Sequence, residues 1–201
     1  MSLIKVLALL LLIFLTFQKC KYNPRRYHWV FALDKSGSMN WNNPKRWTTL
    51  VKLVNDKGGL MDKIDHTSDF VSAYTFNSKP SPNIIYHKNI PTFPNGWNLP
   101  LGGGNPTGGT NFAKALQRAS AIIFWRRYES TCFVIISDGE AKYPSAQVTA
   151  LRNQLTAIRK RGCRTCARCY FIQYKKGAKI PKNYERLCRG LYAQIIPAPP
   201  K

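Results

Sequence analysis

A chain of 201 residues has room for one domain and a short appendage, which excludes a multi-domain assembly. Hydrophobic residues at 44% and aromatics at 12% supply enough apolar surface for a core of normal size, so wholesale disorder is excluded as well. Against 31 Lys and Arg stand only 9 Asp and Glu, a formal net charge of +22, so carboxylates are scarce and each one inside a motif is informative.

Residues 1–20 read as a secretory signal, with Lys5 ahead of the apolar run Val6 to Phe17 and the polar pair Gln18 and Lys19 behind it. That run is short of the roughly 20 residues of a bilayer span, which leaves an N-terminal membrane anchor as the weaker reading. The chain is therefore expected in the secretory pathway or outside the cell, where cysteines oxidise. Downstream, six short apolar runs predict strands: Trp29 to Leu33, Phe70 to Phe76, Ile84 to Tyr86, Cys132 to Ile136, Tyr170 to Tyr174 and Tyr192 to Ile196. Between them, Trp47, Leu50, Val51 and Val54 recur at helical spacing, as do Phe112, Leu116, Ala119 and Ile123, and Val148, Leu151, Leu155 and Ile158. A shorter fourth helix is expected around Asn183 to Cys188, ended by Gly190. Short, almost continuously hydrophobic strands separated by helices predict an α/β fold, a doubly wound and mostly parallel sheet flanked by helices. The Pro- and Gly-rich stretch Lys88 to Gly109 is the long irregular connection, and it carries Phe93 and Trp97.

In such a sheet, ligands bind at the carboxyl ends of the strands. Directly after the first strand comes Asp34-Lys35-Ser36-Gly37-Ser38-Met39, in which Asp34, Ser36 and Ser38 alternate, so that a turn at Gly37 can aim three oxygen-bearing side chains at one point. Thr110 in Gly108-Gly109-Thr110-Asn111 opens the helix after the long loop, and Asp138 closes the strand ending in Ser137-Asp138-Gly139-Glu140. Hydroxyls and carboxylates without His or Cys make a hard oxygen site suited to Mg²⁺, Mn²⁺ or Ca²⁺ rather than zinc.

Together these segments resemble the von Willebrand factor type A domain, with its metal-ion-dependent adhesion site (MIDAS), over residues 27–197, leaving 198–201 as a short tail. The pieces are Phe31-Ala32-Leu33-Asp34-Lys35-Ser36-Gly37-Ser38-Met39, Gly108-Gly109-Thr110-Asn111 and Val134-Ile135-Ile136-Ser137-Asp138-Gly139-Glu140-Ala141, in the family's order. The resemblance implies a Rossmann-like fold. It also implies a divalent cation, Mg²⁺ foremost, coordinated by Ser36, Ser38 and Thr110, with Asp34 and Asp138 acting through bound waters. The partner it implies is a protein ligand that supplies Asp or Glu to the cation, so the expectation is a non-enzymatic adhesion module. Because the cation treats every carboxylate alike, selectivity is expected from the surface around it, where Phe93 and Trp97 are the candidate anchors.

Other chemistries fit less well. Gly103 to Thr110 approaches a phosphate-binding loop, but Gly109 stands where the essential Lys belongs, so no nucleotide is expected. His28, His66 and His87 lie in no nucleophile motif and read as structural or solvent-facing. Cys163, Cys166, Cys169 and Cys188 suggest at least one disulfide within that group, of connectivity the sequence leaves open, whereas Cys132 reads as a small buried hydrophobe. The basic runs Arg25-Arg26, Arg126-Arg127 and Arg159 to Arg161 support an alternative function, binding of a polyanion such as acidic polysaccharide or an anionic lipid surface, with the metal site then structural. Secretion disfavours nucleic acid as that partner.

Overall fold

The structure, a computed structural model, describes residues 26–41, 45–65, 67–89, 98–101, 105–138, 145–172, 187–188 and 192–195. The expected signal segment, His66, Phe93, Trp97 and the tail lie outside these residues.

The apolar runs become strands β1 (Tyr27–Asp34), β2 (Phe70–Phe76), β3 (Pro80–Asn89), β4 (Ser130–Ser137), β5 (Thr165–Ile172) and β6 (Tyr192–Ile195). The three periodic segments become helices α1 (Arg46–Asn55), α2 (Phe112–Trp125) and α3 (Ser145–Lys160). The strands form one sheet in the order β3-β2-β1-β4-β5-β6, parallel throughout except for the antiparallel edge strand β3. This is the doubly wound α/β architecture expected. Of the fourth helix only Leu187 and Cys188 are described, and both are helical and buried.

Alternation along β1 divides the core. Val30 and Ala32 face a layer built from α2 and α3, where Phe112, Leu116, Ile123, Leu151 and Ile158 are buried. Phe31 and Leu33 face the opposite layer, with Leu50 and Val54 of α1. Both faces being covered, β1 and β4 are apolar almost end to end, as a central parallel strand must be. The last residues of the long connection also belong to this core. Leu99 and Leu101 are buried, and Leu99 exchanges two hydrogen bonds with the Asn55 side chain, at 2.9 and 3.0 Å.

Strand β5 begins at Thr165, earlier than the apolar run from Tyr170 suggests, and includes both Cys166 and Cys169. Register then decides one disulfide. Cys132 of β4 lies directly opposite Cys166 and is bonded to it, which corrects its reading as a mere buried hydrophobe. Cys169 is bonded to Cys188, so the expected staple within the C-terminal group is present, and Cys163 is disulfide-bonded as well.

At the amino ends of the strands, His28 is buried, with Nε2 2.8 Å from the Ser72 hydroxyl and its ring centroid 5.0 Å from that of His87. His87 in turn lies 2.8 Å from the Glu129 carboxylate. Burial, reinforced by His87 and Arg126, pushes the His28 pKa down to about 3, so the ring is neutral in the fold.

Candidate functional site

The chain leaves β1 for β2 on one side of the sheet and reaches β4 on the other, so the carboxyl ends of β1 and β4 flank the switch point where a doubly wound sheet opens a crevice. Asp34 ends β1, and Asp138 follows the last residue of β4. Both are buried.

The two expected loops are laced together here. Lys35 N–H donates to the Phe76 carbonyl at 2.8 Å, Gly37 N–H to the Gly108 carbonyl at 2.8 Å, Thr107 N–H to the Lys35 carbonyl at 3.2 Å, and Asn111 N–H to the Asn77 carbonyl at 2.8 Å. The approach depends on two glycines. A Cβ on Gly37 would sit 3.2 Å from the Gly108 carbonyl oxygen, and Gly108 itself has φ +74°, where any L side chain is strained. Asn111 then caps α2, its side chain accepting from Lys114 N–H at 3.1 Å, which fixes Thr110 just ahead of the helix, half-buried.

Asp34 is oriented by one hydrogen bond to each of its oxygens, which leaves further lone pairs for water. Its Oδ1 accepts from Ser36 N–H at 2.9 Å and its Oδ2 from the Ser137 hydroxyl at 2.5 Å. Burial pushes its pKa up to about 6; the hydrogen bonds from Ser137 and Ser36 oppose that shift, and the nearby negative charge of Asp138 adds to it. The hydroxyls of Ser36 and Ser38 lie 3.1 Å apart. Octahedral coordination with metal–oxygen bonds of about 2.1 Å separates adjacent ligands by about 3.0 Å, so the pair already stands at the spacing of neighbouring ligands to Mg²⁺. Among the described residues no three His, Cys, Asp or Glu side chains cluster as a metal-holding group, so the donor set here is hydroxyl-rich with two carboxylates.

One residue the sequence reading missed belongs to this site. Arg46, at the start of α1, donates from Nη1 to Asp138 Oδ2 at 2.8 Å, and both side chains are nearly or fully buried. It carried no signal, because 92 residues separate the partners and Arg is abundant throughout the chain. The structure thus brings Asp34, Ser36, Ser38 and Asp138 to one sheet edge, with the Thr110 loop bonded to it.

The profile of the von Willebrand factor type A domain matches residues 29–140, which contain β1 from Trp29 onward, the Gly108–Thr110 loop, β4 and Asp138. The chain belongs to this family. Among solved structures, the vWA domain is similar to BatB from Bacteroides thetaiotaomicron, at 13% identity and TM-score 0.57, covering 86% of this chain and 91% of that one. It is also similar to proximal thread matrix protein 1 from the mussel byssus with a zinc-occupied MIDAS motif, at 16% identity and TM-score 0.57, covering 84% of this chain and 41% of that one. A third, a von Willebrand factor type A protein from Catenulispora acidiphila, shares 18% identity at TM-score 0.52 and covers 85% of this chain and 38% of that one. At these identities the likeness is one of fold, and this chain spans less than half of the second and third. A search of curated protein sequences finds no significant match.

Proposed function

We propose that this vWA domain is a secreted, non-enzymatic binding module that recognises a carboxylate of a protein ligand through a divalent cation, Mg²⁺ foremost. The hydroxyls of Ser36, Ser38 and Thr110 would hold the ion, with Asp34 and Asp138 behind them. The observation that carries this reading is the hydrogen-bonded hydroxyl pair of Ser36 and Ser38, 3.1 Å apart, beside an Asp34 whose two oxygens each accept one hydrogen bond that fixes the carboxylate. Neutral hydroxyls nearest the ion leave its charge only partly offset, and an incoming Asp or Glu then completes the shell. The zinc-occupied MIDAS of the mussel protein supports a cation at this place in the fold, while the oxygen-only donors here favour a harder ion.

This chain's own residues do the positioning. Ser137 and the Ser36 amide fix the Asp34 carboxylate, and the two glycines let the 35–38 and 107–111 loops meet. The connection bearing Phe93 and Trp97 leads into Thr110, and we assign ligand selectivity to those two aromatics. A pull-down from extracellular material in Mg²⁺, repeated in EDTA, tests the function. Ligand capture that EDTA abolishes supports it, and capture indifferent to EDTA but lost in high salt would favour polyanion binding instead.

A further inference from the structure

We propose that the pole opposite the Asp34–Asp138 edge docks on an anionic lipid surface. The buried stripe of α2 ends at Ile122 and Ile123, yet its last two residues are Phe124 and Trp125, which are 51% and 73% exposed. A solvated helix end normally carries polar side chains there. The two rings stand together, with centroids 6.0 Å apart, and a half-exposed Tyr86 from β3 joins the same end through the Arg126 guanidinium, 5.8 Å from its ring. Protruding aromatics side by side are an apolar surface waiting for an apolar phase.

Cations frame the aromatics. The Arg127 guanidinium sits 4.8 Å from the Phe124 ring and 5.0 Å from the Tyr128 ring, and Arg161 lies 5.2 Å from Tyr128. Arg127 Nη1 also donates to the Phe124 carbonyl at 3.5 Å and Arg161 Nη1 to the Arg127 carbonyl at 3.4 Å, so stacking and these bonds hold each guanidinium flat while leaving its other N–H groups for phosphate oxygens. Neither Arg127 nor Arg161 is paired with a carboxylate among the described residues, and the acid of this turn, Glu129, is buried and bound to His87. The helix α2 is 14 residues long, about 21 Å at 1.5 Å per residue, so a surface held at Trp125 leaves the Thr110 end pointing away and open to a partner. Arg26, where the described chain enters β1, is exposed at the same pole. A soluble acidic polysaccharide would satisfy the guanidiniums but offers no apolar layer to Phe124 and Trp125, so a bilayer interface is the occupant that matches both halves of the patch.

The test is sedimentation of the purified full chain with vesicles of 30% phosphatidylserine in phosphatidylcholine, against vesicles of phosphatidylcholine alone, in the presence of EDTA. The expected result is partition at least tenfold stronger onto the anionic vesicles. The variant Phe124→Ser/Trp125→Ser should lose at least tenfold with an unchanged melting curve, since both side chains are exposed. Arg127→Ala/Arg161→Ala should lose a comparable factor and flatten the salt dependence. Should the first pair fail to fold, brominated lipid decides: it should quench wild-type tryptophan fluorescence, with that component missing in Trp125→Phe, which keeps an aromatic ring and so still binds. Equal binding to both vesicle types, undiminished binding by Phe124→Ser/Trp125→Ser, no quenching difference in Trp125→Phe, or heparin binding that outcompetes vesicles and ignores the aromatic variants would overturn the proposal. Because EDTA is present throughout, failure here leaves the cation reading untouched.

Discussion

Replacing Arg46 by Gln removes a positive charge that sits 2.8 Å from Asp138 Oδ2 while keeping a side chain able to donate a hydrogen bond. The guanidinium and a divalent cation compete for the same carboxylate. A cation held within reach of Asp138, directly or through one water, lies within about 8 Å of the guanidinium, and at an effective dielectric of about 20 the repulsion between charges of +1 and +2 is on the order of 4 kcal/mol. Arg46 can swing outward, and its side chain is 11% exposed, so only part of that repulsion is felt. We expect the variant to bind Mg²⁺ or Mn²⁺ about 10- to 100-fold more tightly. The metal-free protein should meanwhile lose about 1–3 kcal/mol, because a buried Asp138 then keeps a neutral donor in place of a charged one. Titration calorimetry measures the first effect, and thermal melting with and without metal measures the second, as a lower starting temperature and a larger metal-induced rise. Metal affinity that falls or stays level in Arg46→Gln would refute the competition and make Arg46 a brace that holds Asp138 in its binding position.

Other expected outcomes follow from single contacts. His28 has its pKa pushed down from 6.5 to about 3, so its neutral form stabilises the fold fully above pH 6.5 and that contribution is lost as pH falls toward 3, amounting to about 2 kcal/mol at pH 5; urea midpoints at pH 7.5 and 5.0 should separate less in His28→Gln than in wild type, the Asp34 contribution of opposite sign being common to both. Gly108→Ala should cost about 1–2 kcal/mol for its φ of +74° and also weaken metal binding, because the new methyl meets the Ser78 hydroxyl at 2.9 Å and prises the loop from Gly37; calorimetry that shows destabilisation with metal affinity intact would contradict the coupling. Opening the Cys132–Cys166 bridge by a double change to Ser should destabilise by about 4 kcal/mol, the loop-entropy value for a separation of 34 residues, measured by denaturant unfolding under non-reducing conditions. Phe93→Ala/Trp97→Ala should weaken partner capture by about 1–4 kcal/mol while leaving metal affinity near wild type, and a joint loss of both would locate these aromatics in the fold rather than at the ligand.

The central strands and the three long helices were legible because burial on both faces of a parallel sheet writes itself as unbroken apolar runs, and one-sided burial of a helix as a 3.6-residue period. Asp34, Ser36 and Ser38 were legible as a group because they are neighbours in one turn. What escaped was set by pairing across the chain. Strand β5 starts in Thr165-Cys166-Ala167-Arg168, half-buried and mixed in character, so no apolar run marks it, and without its register the Cys132–Cys166 bond has no sequence signature. Strand β3 was underestimated for a related reason: as an edge strand it alternates and bulges against β2, and Pro80, Lys88 and His87 hide it. Arg46 could not have been singled out among 31 basic residues, since only the packing of α1 beside the switch point delivers it to Asp138.

The claim that the Ser36–Ser38–Thr110 edge holds a divalent cation is tested most directly by titrating Mg²⁺ and Mn²⁺ calorimetrically into wild type, Ser36→Ala and Thr110→Ala, each shown to melt cooperatively near the wild-type temperature. One site per chain is expected in wild type, weakened at least tenfold in both variants. Wild type that takes up neither ion, or variants that bind as tightly as wild type, would contradict it.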